Sequence, residues 1–246
     1  MKKLVAETLG LGQDSNNAID LTYTEHLEVL RNSIFKALAA IVVGIGISYF
    51  YADGIIAFLT APATKLYYMK PAEAFFVYVK VIILSGLVIA SPVILYEFWS
   101  FVLPAFTQRT RQIVYGIVAA SMVLFFIGTI FSYLFILPIG LKFFLGFDSM
   151  QVQSLLSMES YVDFVFMIVL PFGLIFEIPL VLVLLAQLDV LSSKKLYAWR
   201  KYVFFGAFVL AGIVTPPDVV SQILMALPML LLYELSALFI KLVLQK

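Results

Sequence analysis

Few residues in this chain have the types and spacing to do chemistry, and most of those are carboxylates inside apolar runs. Glu177 is the clearest. It lies fourteen residues after Asp163 and twelve before Asp189, near the middle of an otherwise apolar stretch. Pro171 and Pro179 flank it, and each lacks an N–H, leaving the carbonyls of Met167 and Ile175 without their helical donors. An ionisable group at mid-bilayer costs about 2.5–3.5 kcal/mol on insertion scales, so it needs a reason. Glu177 is read either as a hydrogen-bonded structural group or as part of a functional polar notch facing protein or water. Glu234, seven residues before Lys241, can snorkel, make a structural hydrogen bond or act functionally. Glu97 lies near the end of its apolar run and is expected to reach headgroups.

The single histidine, His26, sits in Thr24-Glu25-His26-Leu27-Glu28-Val29-Leu30-Arg31. Thr22 and Glu25 have capping-box spacing, which predicts a helix start. Leu27, Leu30, Ile34 and Leu38 then make an apolar stripe, with Glu25, Glu28 and Arg31 within about a turn of one another. This is either an interfacial helix with solvated charges or an acidic patch that meets a basic ligand. Enzyme readings find little support. There is no His-Glu-x-x-His, no Gly-x-Ser-x-Gly, no P-loop and no cysteine. No catalytic, metal or cofactor site is expected.

The elements that position these residues follow from composition. Of 246 residues, 63% are hydrophobic and 13% charged. Soluble domains run nearer 45–50% and 25%, so the default solvent is lipid. A net charge of +1 gives no basic excess for nucleic acid. The polar first thirty-three residues hold no cleavable signal-peptide core. Apolar runs predict an all-α polytopic membrane protein, with helices at Ile34–Tyr51, Phe75–Leu103, Ile113–Leu137, Tyr161–Leu188, Val203–Val214 and Val219–Val243. The fifth run is short: twelve residues rise about 18 Å. It is either re-entrant or crosses where the bilayer is thin. Thr215-Pro216-Pro217-Asp218 breaks the chain after it, and Asp218 can cap the next helix.

Six crossings place twelve of the sixteen Lys and Arg on the side of both termini; five would leave ten against six. The positive-inside rule favours six spans with cytoplasmic termini. Ala52–Ala74 and Lys142–Ser160 are expected to form a cap on the other face. With no repeat or linker, residues 1–246 read as one integral membrane domain, with 1–21 a polar cytoplasmic tail.

Four segments resemble the TatC family, the multi-spanning subunit of the twin-arginine protein translocase. They are His26-Leu27-Glu28-Val29-Leu30-Arg31; Ala90-Ser91-Pro92-Val93-Ile94-Leu95-Tyr96-Glu97-Phe98-Trp99 with Phe101 and Pro104; Phe172-Gly173-Leu174-Ile175-Phe176-Glu177-Ile178-Pro179; and Thr215-Pro216-Pro217-Asp218-Val219-Val220-Ser221-Gln222. The resemblance covers roughly residues 22–243. It implies a glove-shaped six-helix bundle with short fifth and sixth helices, in a bacterial plasma membrane. It implies proton-motive-force-driven transport of folded proteins carrying twin-arginine signal peptides. The implied partners are TatA-type and TatB-type single-span subunits and further copies of the chain within the complex.

By position, Glu25, His26, Glu28, Arg31, Glu97 and Phe101 are implied for the signal-peptide surface. Glu177 corresponds to the family's intramembrane Glu, and Pro62 to a proline of the first outer loop. Pro216, Pro217, Asp218 and Gln222 belong to the break before the sixth helix. Two usual acids are absent, since Val29 and Thr110 occupy their positions. Glu25, one turn before Val29 on the same side, is the better substitute than Glu28, and Glu97 can reach from the second span. The alternative class is a secondary transporter with a small solute at Glu177; against it, the chain has no repeat.

Overall fold

The computed structural model describes residues 23–63, 65–102, 111–146, 155–215 and 218–244. Its elements are α1 (Tyr23–Phe50), α2 (Ala52–Thr60), α3 (Glu73–Val102), α4 (Arg111–Phe131), α5 (Leu137–Leu145), α6 (Met158–Ile175), α7 (Ile178–Gln187), α8 (Ser193–Val214) and α9 (Val219–Phe239). Two wide π turns interrupt or extend them, at Ser132–Ile136 between α4 and α5 and at Ile240–Leu244 after α9. Among the described residues, six helical stretches are long and apolar enough to cross a membrane. The face on which α1 begins is called the near face below, and the other the far face.

Prolines explain where the long spans deviate. Pro138 stands in the first turn of α5, directly after the wide turn. Its ring has no N–H and would clash with the carbonyl of Leu134 in a regular helix, and a wider turn relieves both problems. The third span therefore continues to Leu145, eight residues beyond the apolar run's expected end at Leu137. Pro179 likewise sits in the first turn of α7 and separates it from α6 at Phe176 and Glu177.

The fifth span corrects an expectation. Its helix is 22 residues, Ser193–Val214, not twelve. At 1.5 Å per residue it rises about 33 Å, enough to cross. The twelve apolar residues are only its second half. The first half is polar in sequence yet helical, because Ser192 caps it by accepting from the Lys195 N–H, and because Leu196 is buried against Tyr233 and Ala237 of α9. The fifth and sixth spans have 22 and 26 residues, against 30 or 31 in the second to fourth.

The main core is built on α6, where Tyr161, Val162, Val165 and Phe172 are fully enclosed. In the first and fifth spans only 11% of the most apolar window is buried, which places them at the margin of the bundle. Large apolar side chains such as Phe50, Phe205 and Ile213 point outward. That is the surface lipid requires, with apolar side chains outward and most backbone polar groups paired along the helices.

α1 lies along α3 through two glycines. A methyl group on Gly86 would come within 2.7 Å of the Ile45 backbone, and one on Gly44 would collide with the Gly86 carbonyl. Such small residues let backbones approach closely where lipid supplies no hydrophobic drive between helices.

On the far face the expected cap is present among the described residues. Tyr67 pairs with the 156–158 segment through Tyr67 N–H to Leu156 O (3.0 Å) and Met158 N–H to Tyr67 O (2.9 Å). Buried Glu73 accepts from the backbone N–H of Met69 (2.6 Å), Lys70 (3.2 Å) and Glu159 (2.9 Å), fastening both connections to α3. α2 is a helix inside what reads in sequence as a loop. It is held by the Tyr161 and Tyr133 hydroxyls, which donate to the Leu59 and Phe58 carbonyls.

Candidate functional site

The break between α6 and α7 exists because Pro179 cannot donate to the Ile175 carbonyl. Glu177 stands at that break, with its side chain turned into the bundle and only 8% exposed. A second glycine crossing sets its neighbour. A methyl group on Gly128 of α4 would lie 2.5 Å from the Phe172 carbonyl, and one on Gly173 of α6 would lie 2.6 Å from the Phe125 ring. Ser121, Phe125 and Gly128 share one face of α4 at helical spacing, as do Gly173 and Glu177 across the break. The close crossing therefore brings Ser121 to Glu177.

A directed chain of hydrogen bonds results. The Trp99 indole N–H donates to Ser121 Oγ (2.9 Å), and the Ser121 hydroxyl donates to Glu177 Oε2 (2.7 Å). Val118, Leu184 and Trp99 itself form the apolar jacket around this chain. Three helices, α3, α4 and the start of α7, are joined at one carboxyl group. Glu177 Oε1 is buried and has no hydrogen-bond partner among the described residues. An acceptor left unmade in an apolar surround is costly, by roughly 1–3 kcal/mol. This oxygen is a standing demand for a donor. Of the two readings open from sequence, the arrangement is a structural bond at one oxygen and an unused acceptor at the other.

The near-face residues form a second cluster. Contrary to the expectation from its place in the sequence, Glu97 does not extend to headgroups. It is buried, and its Oε1 lies 3.3 Å from Lys36 Nζ of α1. The reason is the glycine crossing, which sets α1 so close to α3 that the carboxylate meets the α1 cation. On a helix of 100° per residue, Lys36 shares a stripe with Asn32, Val29 and position 25, spaced i, i+4, i+7 and i+11. The stripe that meets Glu97 is thus the one that runs on towards the start of α1. Glu28, Val29 and Arg31 are exposed there, and Phe101, one turn past Glu97, is half-buried. The backbone of Glu25 and His26 is helical, but their side chains lie outside the described residues, as does Thr110.

The remaining predicted residues are structural in their contacts. Glu234 pairs with Arg200 of α8, whose guanidinium also lies 4.5 Å from the centre of the Tyr197 ring. Asp218 caps α9, its Oδ1 accepting from the Ser221 N–H (2.7 Å). Gln222 Nε2 donates to the Phe208 carbonyl (2.8 Å), tying α9 to α8. Pro62 follows the end of α2, where a residue that cannot continue a helix fits. Pro216 and Pro217 lie outside the described residues.

Sequence reasoning missed Ser121, Trp99 and Lys36 as partners. A lone serine in an apolar run and a Trp in a helix end carry no periodic signal. Lys36, two residues into an apolar run, was the one visible cue.

The profile of the TatC family, described as Sec-independent protein translocase protein, matches residues 25–228. The chain is 39% identical over 221 residues to the Sec-independent protein translocase protein TatC of Desulforapulum autotrophicum, covering 87% of this chain and 82% of that one. It is 38% identical over 231 residues to the TatC of Aquifex aeolicus, covering 91% and 96%. A crystal structure described as the twin arginine translocase receptor TatC, in detergent, superposes with a TM-score of 0.81. It is 37% identical and covers 89% of this chain and all of that one. With the six spans, the buried Glu177 and these matches together, the chain belongs to the TatC family, the integral membrane subunit of the Sec-independent protein translocase.

Proposed function

We propose that this protein is the signal-peptide receptor of a twin-arginine translocase. The near face is cytoplasmic, and the twin arginines dock where the start of α1 meets the end of α3. The observation that carries this reading is the contact between Lys36 and Glu97. It sets a buried carboxylate of α3 against Lys36 of α1, on the helix that carries Glu25 about three turns nearer its start. Guanidinium groups favour such a corner, because a carboxylate accepts their two parallel N–H groups at once. Glu25 and Glu97 then stand in for the acids that Val29 and Thr110 replace.

Glu177 serves the next step. Its unpartnered Oε1 accepts a hydrogen bond from the polar backbone of an inserting segment, at a depth where few other acceptors exist. TatA-type and TatB-type single-span subunits and further copies of the chain complete the complex. The proton-motive force drives transport of the folded cargo in a bacterial plasma membrane.

Export tests this. In cells lacking their own TatC, this chain with its single-span partners should export a folded reporter carrying a twin-arginine signal. A twin-lysine signal or an uncoupler should reduce export at least tenfold. Equal export of both signals, or none from a membrane-inserted complex, overturns the reading.

A further inference from the structure

The pair between Lys36 and Glu97 is lopsided. The Glu97 side chain is 8% exposed and the Lys36 side chain 65%. The carboxylate is fixed in the interface of α1 and α3, while the ammonium reaches it from a flexible stem that solvent or headgroups can receive. A buried carboxylate stripped of its cation is strongly destabilised. Glu97 is therefore favoured with a cation beside it, and a cationic ligand that takes it displaces Lys36.

We propose that Lys36 is an internal competitor for the arginine site, and that this competition lowers the affinity of every cationic ligand by one common factor, so that only a ligand with guanidinium-strength contacts binds at working concentration. The proposal rests on the signal-peptide reading above. An incoming lysine offers Glu97 an ammonium it already has, and must displace one tethered at high effective concentration. It gains nothing by the exchange. An incoming arginine offers a planar guanidinium with two parallel donors, and so wins where lysine does not. The cost of displacing Lys36 is the same for both cations, so it sets the threshold for binding, while the ratio between them comes from the guanidinium's own contacts with Glu97. When Lys36 leaves, its stem swings outward, because it is already mostly exposed.

The test is binding of a labelled twin-arginine signal peptide and its twin-lysine counterpart to the full chain in nanodiscs, read by fluorescence anisotropy. Lys36→Gln should strengthen twin-arginine and twin-lysine binding by a similar factor, about fivefold or more. Lys36→Arg keeps the pair and the fold, but turns the rival into a guanidinium. It should weaken twin-arginine binding about threefold or more. Glu97→Gln should bring the two peptides to similar affinity. Unchanged or weaker binding of both peptides in Lys36→Gln, or tighter twin-arginine binding in Lys36→Arg, overturns the proposal while leaving the receptor reading intact. If the wild-type chain binds neither peptide in an arginine-dependent way, the receptor reading fails, and the proposal with it.

Discussion

Ser121 is the residue on which the buried polar chain turns, because one hydroxyl both accepts from Trp99 and donates to Glu177. Ser121→Ala would leave an indole N–H without its acceptor and the Glu177 carboxyl without its donor. Each group left unsatisfied in the interior costs about 1–3 kcal/mol. Thermal unfolding in detergent should show a clear loss of stability, and export should fall with it. Glu177→Gln separates the two effects. Its amide oxygen can still accept from Ser121, so stability should stay near wild type while export drops. A normal rate of export with Glu177→Gln would make the carboxyl a structural group only.

At the scale of elements, glycine and proline decide how the helices meet. Gly86 and Gly44 mark a close approach between α1 and α3. Gly86→Val should cost about 1–3 kcal/mol by overpacking and should weaken signal-peptide binding, since the shift would move α1 away from Glu97 and take the docking corner apart. Gly46, whose added methyl would touch nothing, is the internal control: Gly46→Val should change neither stability nor binding.

The sequence shows these elements unevenly. The six apolar runs, the break at Pro179 and the Asp218 cap are legible from hydropathy and local chemistry. The true length of α8 is not, because its first half is polar and becomes a helix through its Ser192 cap and its packing on α9. Nor is α2, which hydropathy reads as loop. In the candidate site, Glu177 and Glu97 announce themselves as acids in apolar runs. Ser121 and Lys36 become partners only once glycine crossings bring their helices together. No local pattern encodes that contact.

Across the whole molecule, α3 is the shared plank. Glu97 and Trp99 lie two residues apart on it, about 200° round the helix. One meets α1 at the near face, and the other meets α4 and, through Ser121, the buried Glu177. The proposed docking corner and the buried acid therefore hang on the same turn of one helix. The far face is fastened separately by Glu73 and by the Tyr67 pairing, so it holds the spans together away from that corner. The central claim is that twin arginines dock at the near-face corner of α1 and α3. Site-specific crosslinking tests it most directly, with photoreactive probes at positions 25, 28 and 101 and a control probe at 205, an outward-facing position on α8. A twin-arginine signal peptide should crosslink at 25 or 28 and at 101 but not at 205, and a twin-lysine peptide should lose those crosslinks. Crosslinking that is indifferent to the arginines, or that occurs only at 205, would contradict the account.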